Sequence, residues 1–287
     1  MAQDIPGGPF ELAGSQVARM GFGTMQLPGP GVMGPPRDRA QALAVLRTAV
    51  DLGIDHFDTA DYYGPDVSNE LLREALHPFD GLTLVSKVGA TRNAAGDWLL
   101  DRSPQAIRTQ VEANLRVLDV EALDVVNLRL ADPGHEPAGE VPFEESFAAL
   151  AALREEGLVR ELGLSVATPD HLAAAQCIAP VVEVQNLYNL ANRGDDAFIA
   201  ELAAQGIAYV PFFPLGGFTP LQSATLDEVA ARLGQSPQGV ALTWLLQRSG
   251  NILLIPGTSS VDHLRANVAA AGLILPPEEI AALDSIG

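Results

Sequence analysis

The chain has 287 residues, 17 Lys plus Arg against 36 Asp plus Glu, and a formal net charge of −19. So acidic a balance argues against nucleic acid and anionic membrane surfaces as partners, because both recruit basic patches. A hydrophobic fraction of 47% with 18% charged residues is that of a core-forming chain. The lone cysteine, Cys177, precludes an intrachain disulfide and fits a reducing compartment. Residues 1–10 carry neither a basic nor an apolar leader, and no apolar run approaches the ~18 residues of a membrane span. A soluble cytoplasmic protein is expected, with no membrane contact and no obligate protein partner.

Residues 7–15 read as a short hairpin, and a strand follows over 18–21. A helix over 39–52 ends at Gly53 and leads to a strand over 56–58. The next pair is a helix over 68–76 and a strand over 83–87. Ser103-Pro104 supplies an N-cap and a first-turn proline for a helix over 103–118, ahead of a strand over 124–130. A helix over 143–156, closed by Gly157, precedes a strand over 161–165. A helix starting near Pro169 precedes a strand over 181–185. A helix over 195–205, closed by Gly206, leads to a strand over 208–213. A helix over 237–248, closed by Gly250, leads to a strand over 252–255. Helices over 261–270 and 277–283 finish the chain.

Strict alternation of strand and helix implies a parallel sheet. Eight such units in under 300 residues predict an α/β fold of the closed (β/α)₈ TIM-barrel type, with the hairpin at its base. No linker or composition shift divides residues 1–287, so one domain is expected. The loops over 26–36, 91–102 and 131–142 fall after strands 1, 3 and 4, on the face where such barrels place their chemistry.

The strand ends at that face carry Asp58, Lys87, Arg129, Ser165, Gln185, Phe212 and Thr258. Packing alone selects branched aliphatic residues inside a barrel, and buried charges need partners. Lys87 is notable because arginine occurs sixteen times and lysine once. Where arginine serves surface charge throughout, the one position that keeps a compact amine points to a role that needs an amine. Asp58 lies in the segment FDTADYYG, and Tyr63 is near enough for the loop to fold it back over the carboxylate. An acid, an amine and a phenol then converge. A free phenol titrates near ~10, and a nearby ammonium is expected to lower that value and fit it as a general acid. Tyr62 competes for this role on composition alone. His56 shares a face with Asp58 and reads as a hydrogen-bonded core residue. Glu183 shares a face with Gln185 and carries no assigned role.

Gly21-Phe22-Gly23 does not complete a G-x-G-x-x-G motif, no phosphate-binding G-x-x-x-x-G-K-[ST] exists, and no His/Cys cluster suggests a metal. The loops Pro214-Leu215-Gly216-Gly217 and Pro256-Gly257-Thr258-Ser259-Ser260, the second opening a helix, suit phosphate oxygens.

These residues together resemble the aldo-keto reductase superfamily. The resemblance is carried by FDTADYYG, Ser86-Lys87, Gly163-Leu164-Ser165, Gln185-Asn186-Leu187-Tyr188-Asn189, Pro214-Leu215-Gly216 and residues 255–267, and it spans essentially the whole chain. It implies a (β/α)₈ barrel that binds NADPH, with NADH as the alternative, and reduces a small-molecule carbonyl. It further implies Tyr63 as general acid, with Lys87 and Asp58 tuning it. Ser165 and Gln185 would meet the carboxamide and Phe212 the nicotinamide. Leu215, Gly216, Thr258, Ser259, His263 and Asn267 would line the pyrophosphate and adenosine side. Arg129 stands where the family's fourth catalytic residue is usually histidine. Val166 replaces the asparagine of the family's Ser-Asn pair. Gly257 and His263 stand where basic residues usually grip the 2′-phosphate. Residues 27–32, 34–39, 124–129, 209–221 and 251–260 are similar to the pyridoxal-reductase branch, which implies reduction of pyridoxal to pyridoxine. A broad-specificity aldehyde or ketone reductase and a non-catalytic cofactor-binding subunit are the other readings. Trp98, Asp132 and His135, in the loops, carry no motif.

Overall fold

The predicted strands are branched-aliphatic runs bounded by turn residues, and the computed structural model lays them side by side. It describes residues 5–93, 95–131, 141–217 and 222–286. Among these, seven parallel strands form one curved sheet in the order β3 (Phe22–Gly23), β4 (His56–Asp58), β5 (Thr83–Val88), β8 (Leu123–Arg129), β9 (Val159–Ser165), β10 (Glu183–Leu187) and β11 (Ala208–Phe212). Residues 252–255 close the gap. Ile252 pairs with Tyr209 of the last strand and Leu254 with Met20 ahead of the first. Leu253 N donates to Tyr209 O at 3.0 Å and Gly21 N to Leu254 O at 2.7 Å. The barrel is therefore closed, as expected, and its first strand, Phe22–Gly23, begins just after the predicted 18–21, whose Ala18 belongs to the hairpin.

The covering helices are α1 (Arg39–Asp51), α2 (Val67–Leu76), α3 (Pro104–Leu118), α4 (Phe143–Glu155), α5 (Pro169–Gln176), α6 (Asp196–Ala204), α7 (Ala224–Leu233), α8 (Pro237–Arg248), α9 (Val261–Ala270) and α10 (Pro277–Asp284). Their starts follow local chemistry. Asp38, Ser103, Thr168, Ser236 and Ser260 each accept a backbone N–H from the first turn. One helix and one strand pair were not predicted. Helix α7 is capped by Ser223 and ended by left-handed Gly234. Strands β6 (Ala90–Arg92) and β7 (Trp98–Leu100) pair antiparallel inside the predicted 91–102 loop. The predicted loop over 131–142 lies largely outside the described residues, as do Asp132 and His135. Among the described residues no helix is long and apolar enough to cross a membrane.

The hairpin β1 (Pro9–Leu12) and β2 (Ser15–Ala18) extends slightly beyond the expected range. Its Leu12 and Val17 pack with Val85, Val125, Val210 and Leu253. An apolar plug thus seals one end of the interior, and the polar strand ends stand at the other.

Candidate active site

The loop after β4 brings Tyr63 back over the strand end. Thr59 N bonds to Val85 O at 2.8 Å, and Tyr63 N to Ala60 O at 3.1 Å. Gly64 then turns at φ 107°, where a Cβ would stand 2.3 Å from that of Val67, so only glycine makes this corner. Behind the loop runs a buried chain of polar side chains. Thr24 Oγ1 donates to Thr59 Oγ1, Thr59 Oγ1 to Asn69 Oδ1, and Asn69 Nδ2 to Asn114 Oδ1, which also accepts from Ser86 Oγ. The chain ties this loop to β5 and α3, so Tyr63 is fixed relative to Lys87.

Lys87 Nζ lies 2.5 Å from Asp58 Oδ1 and donates to Thr59 O at 3.1 Å, with both side chains buried. The same ammonium stands 5.1 Å from the centre of the Tyr63 ring. Gln185 Nε2 donates to Asp58 Oδ2 at 2.9 Å. Both carboxylate oxygens are satisfied, which is what allows a charged pair to remain out of water. Acid, amine and phenol converge as the sequence predicted.

The expected direction of the phenol's titration is overturned for the protein alone. Burial pushes Tyr63 upward, the Asp58 charge adds to this, and Arg129 opposes it. The physical reason is that burial strips hydration from a phenolate, and the nearby Asp58 charge disfavours it further. Tyr63 is therefore a neutral phenol that holds its proton throughout the neutral range.

The two tyrosines differ in what they face. Tyr63, Asp58, Gln185, Phe212 and Leu215 line a cavity of about 310 Å³. Tyr62 is not among its walls. Its hydroxyl is buried without a hydrogen-bond partner, and its ring meets Tyr63 and Trp98 edge-on. Trp98 lies under the Arg92 guanidinium at 4.0 Å and beside that of Arg129 at 5.5 Å. Arg129 also lies 6.0 Å from the Tyr62 ring. Arg129 thus belongs to an aromatic and cationic wall beside the cavity.

Of the residues assigned to a cofactor, Gln185, Phe212 and Leu215 line the cavity. Gly216 falls between two lining residues, Leu215 and Gly217. Ser165 is buried at the end of β9 as register partner of Arg129. Thr258 Oγ1 accepts from Ser260 N. Ser259 and His263 are exposed and Asn267 is half-buried; these residues, from just before α9 to its seventh position, are not among the cavity's walls. Sequence reasoning missed Gly23, Gln26, Leu226, Gln238 and Ala241, which also line it. Two glycines carried a signal. A Cβ on Gly23 would stand 2.5 Å from Ile255 O, and one on Gly257 2.6 Å from Gly23 O. These glycines let the ends of the first and eighth strands approach.

The aldo/keto reductase family model matches residues 19–287. The chain belongs to the aldo/keto reductase family. It is 56% identical over 279 residues to pyridoxine 4-dehydrogenase of Escherichia coli (strain K12), covering 96% of this chain and 97% of that protein. A thermostable aldo-keto reductase crystallised with the inhibitor epalrestat superposes with a TM-score of 0.81 at 29% identity, covering 97% of this chain and 99% of that one. An aldo-keto reductase from Klebsiella pneumoniae in complex with NADPH superposes at 0.78 and 25% identity, covering 97% and 94%.

Proposed function

We propose that the protein reduces the aldehyde of pyridoxal to the alcohol of pyridoxine, using NADPH. One observation carries the reading: a protonated phenol, Tyr63, on the wall of a cavity, with a buried ammonium–carboxylate pair at its ring. The likeness to pyridoxine 4-dehydrogenase supports the substrate, and the NADPH-bound relative supports the cofactor. The residues present fit a nicotinamide. The cavity is of ligand size, and Phe212 supplies an aromatic face and Gln185 an amide on its wall. When bound, the cofactor supplies a hydride to the carbonyl carbon.

The chain's own residues do the rest. Phe212 and Gln185 hold the ring in place, and Gln185 at the same time steadies Asp58. Tyr63 donates a hydrogen bond to the carbonyl oxygen and gives up its proton as that oxygen becomes an alkoxide. The Lys87 ammonium stabilises the phenolate left behind. Asp58 keeps the ammonium aimed at the ring. Arg129 and Trp98 form the substrate's side wall, where the cation suits the ionisable 3-hydroxyl beside the pyridoxal aldehyde. Leu215, Gly216, Thr258, Ser259, His263 and Asn267 carry the phosphate and adenosine end, and Ser165 supports the carboxamide. Residues 1–287 act as one domain in the cytoplasm.

The test is NADPH absorbance decay with pyridoxal against a panel of simple aldehydes. Pyridoxal should give the highest kcat/KM. Equal efficiency across the panel would replace this reading with a broad-specificity reductase, and no turnover with cofactor bound would make the protein a binding subunit.

A further inference from the structure

Two elements outside the barrel press on the Tyr62–Tyr63 segment. The first is the loop over 29–34. Gly34 N donates to Gly64 O at 2.8 Å, and Val32 is buried against Ala60, Tyr62, Tyr63 and Ala90. Val32 keeps this place at φ 59°. A β-branched residue rarely adopts that left-handed region, and such strain persists only where the surroundings impose it. The second element is the β6–β7 hairpin. Its Trp98 ring lies 5.5 Å from that of Tyr62 and 6.4 Å from that of Tyr63, edge-on to both.

Arg92 joins the two. It is the register partner of Trp98 across the hairpin, and its guanidinium lies over the indole at 4.0 Å. Its Nη2 donates to Gly31 O at 2.9 Å, one residue before Val32. Its Nε and Nη1 are buried without a hydrogen-bond partner. Leaving charged donors unmet in this way is unfavourable, and a methionine would cover the indole without that cost. What the planar cation adds is a stack on the ring and a bond to the loop carbonyl made at the same time. We propose that Arg92 is a positioning residue: it clamps Trp98 and the Gly31–Val32 turn together around Tyr62 and Tyr63, and so holds the Tyr63 phenol in the orientation from which it donates. Arg92 is not among the cavity's walls, so it acts through these neighbours and not on the cofactor. The inference rests on the reading of Tyr63 as general acid.

The experiment compares Arg92→Met, Arg92→Lys and Trp98→Leu with the full-length wild type, reading NADPH Kd, kcat at saturating pyridoxal, and acrylamide quenching of tryptophan emission. The chain has two tryptophans, and Trp244 is fully buried while Trp98 is half-buried, so quenching reports Trp98. Both Arg92 variants should lower kcat about tenfold with NADPH Kd unchanged within about twofold, and both should make Trp98 easier to quench. Lysine should not rescue, because an ammonium keeps the charge but not the stacked plane. Trp98→Leu, which removes the ring that Arg92 covers, should lower kcat by a similar factor. A wild-type kcat in Arg92→Met, full rescue by Arg92→Lys, or a kcat loss matched by an equal loss of cofactor affinity would overturn the proposal. A wild-type kcat in Trp98→Leu would overturn it even if the Arg92 variants do not fold. Tyr63→Phe runs beside them. Activity retained there would refute the site reading itself, a result separable from any outcome at Arg92.

Discussion

The two ends of the barrel interior are built from the same strands and from opposite residue types. On β5 Val85 belongs to the plug and Lys87 to the site; on β8 Val125 belongs to the plug, and Asn127 and Arg129 lie above it. Alternation along a strand keeps residues two apart on one face, so a single step of two positions converts packing into chemistry. The lower end contributes stability through buried apolar area. The upper end adds little net stability, because its charges lose hydration for what they gain in pairing. Changes at the two ends should therefore separate activity from stability.

A large separation is expected at Lys87→Arg. Charge is preserved, but a planar guanidinium cannot hold one point contact to Asp58 and Thr59 under the Tyr63 ring. Steady-state assay with pyridoxal should show kcat reduced about 100-fold or more. Near-normal activity would mean that the amine at the single lysine position is incidental.

Leu253→Ala breaks the other end. Removing a fully buried side chain from the plug should cost about 2–5 kcal/mol in a urea titration. The kcat of the folded fraction should stay near wild type.

Most of this contrast was legible in the sequence, because it depends on local signals. The short apolar runs and the helix caps placed the barrel strands to within a few residues. Strand ends then located Asp58, Lys87 and Gln185 before any contact was known. Helix α7 was also encoded, by Ser223 and Gly234 at its ends, but the segment between the strand over 208–213 and the helix over 237–248 was left unassigned. The β6–β7 hairpin was hidden because Trp98 and Arg92 meet across the turn rather than along the chain. Cavity walls from α7 and α8 were beyond reach, since their positions follow from tertiary packing. The titration of Tyr63 was misjudged because the sequence shows an ammonium nearby but not how fully the fold buries the phenol.

Asp61 sharpens the comparison through pH. It lies in the site loop, its Oδ1 is buried without a hydrogen-bond partner, and burial together with the Asp66 charge pushes it up to about 8 from 3.8. A carboxyl raised in this way favours the folded state fully below its unfolded value. That contribution is lost as pH rises through the folded value. Stability should thus fall between pH ~4 and ~8, and Asp61→Asn should flatten the slope. An equal slope in the variant would assign the dependence elsewhere.

A smaller effect is expected at Arg129→His. Loss of the permanent cation beside Trp98 should lower kcat/KM for pyridoxal about tenfold, as a charge-assisted contact would. Nitrobenzaldehyde, which lacks the ionisable hydroxyl, should be affected much less. Equal losses on both substrates with a lowered Tm would make Arg129 structural.

The central claim is that Tyr63, and not its neighbour, gives the proton. The most direct measurement sets Tyr63→Phe beside Tyr62→Phe, each assayed for NADPH affinity and for kcat with pyridoxal. Both rings still pack in these variants, so both should bind cofactor like wild type. Only Tyr63→Phe should lose turnover, by about 1,000-fold, because only its hydroxyl belongs to a residue on the cavity wall. A Tyr63→Phe enzyme that keeps a tenth of wild-type kcat, or a Tyr62→Phe enzyme that loses it, would contradict the account.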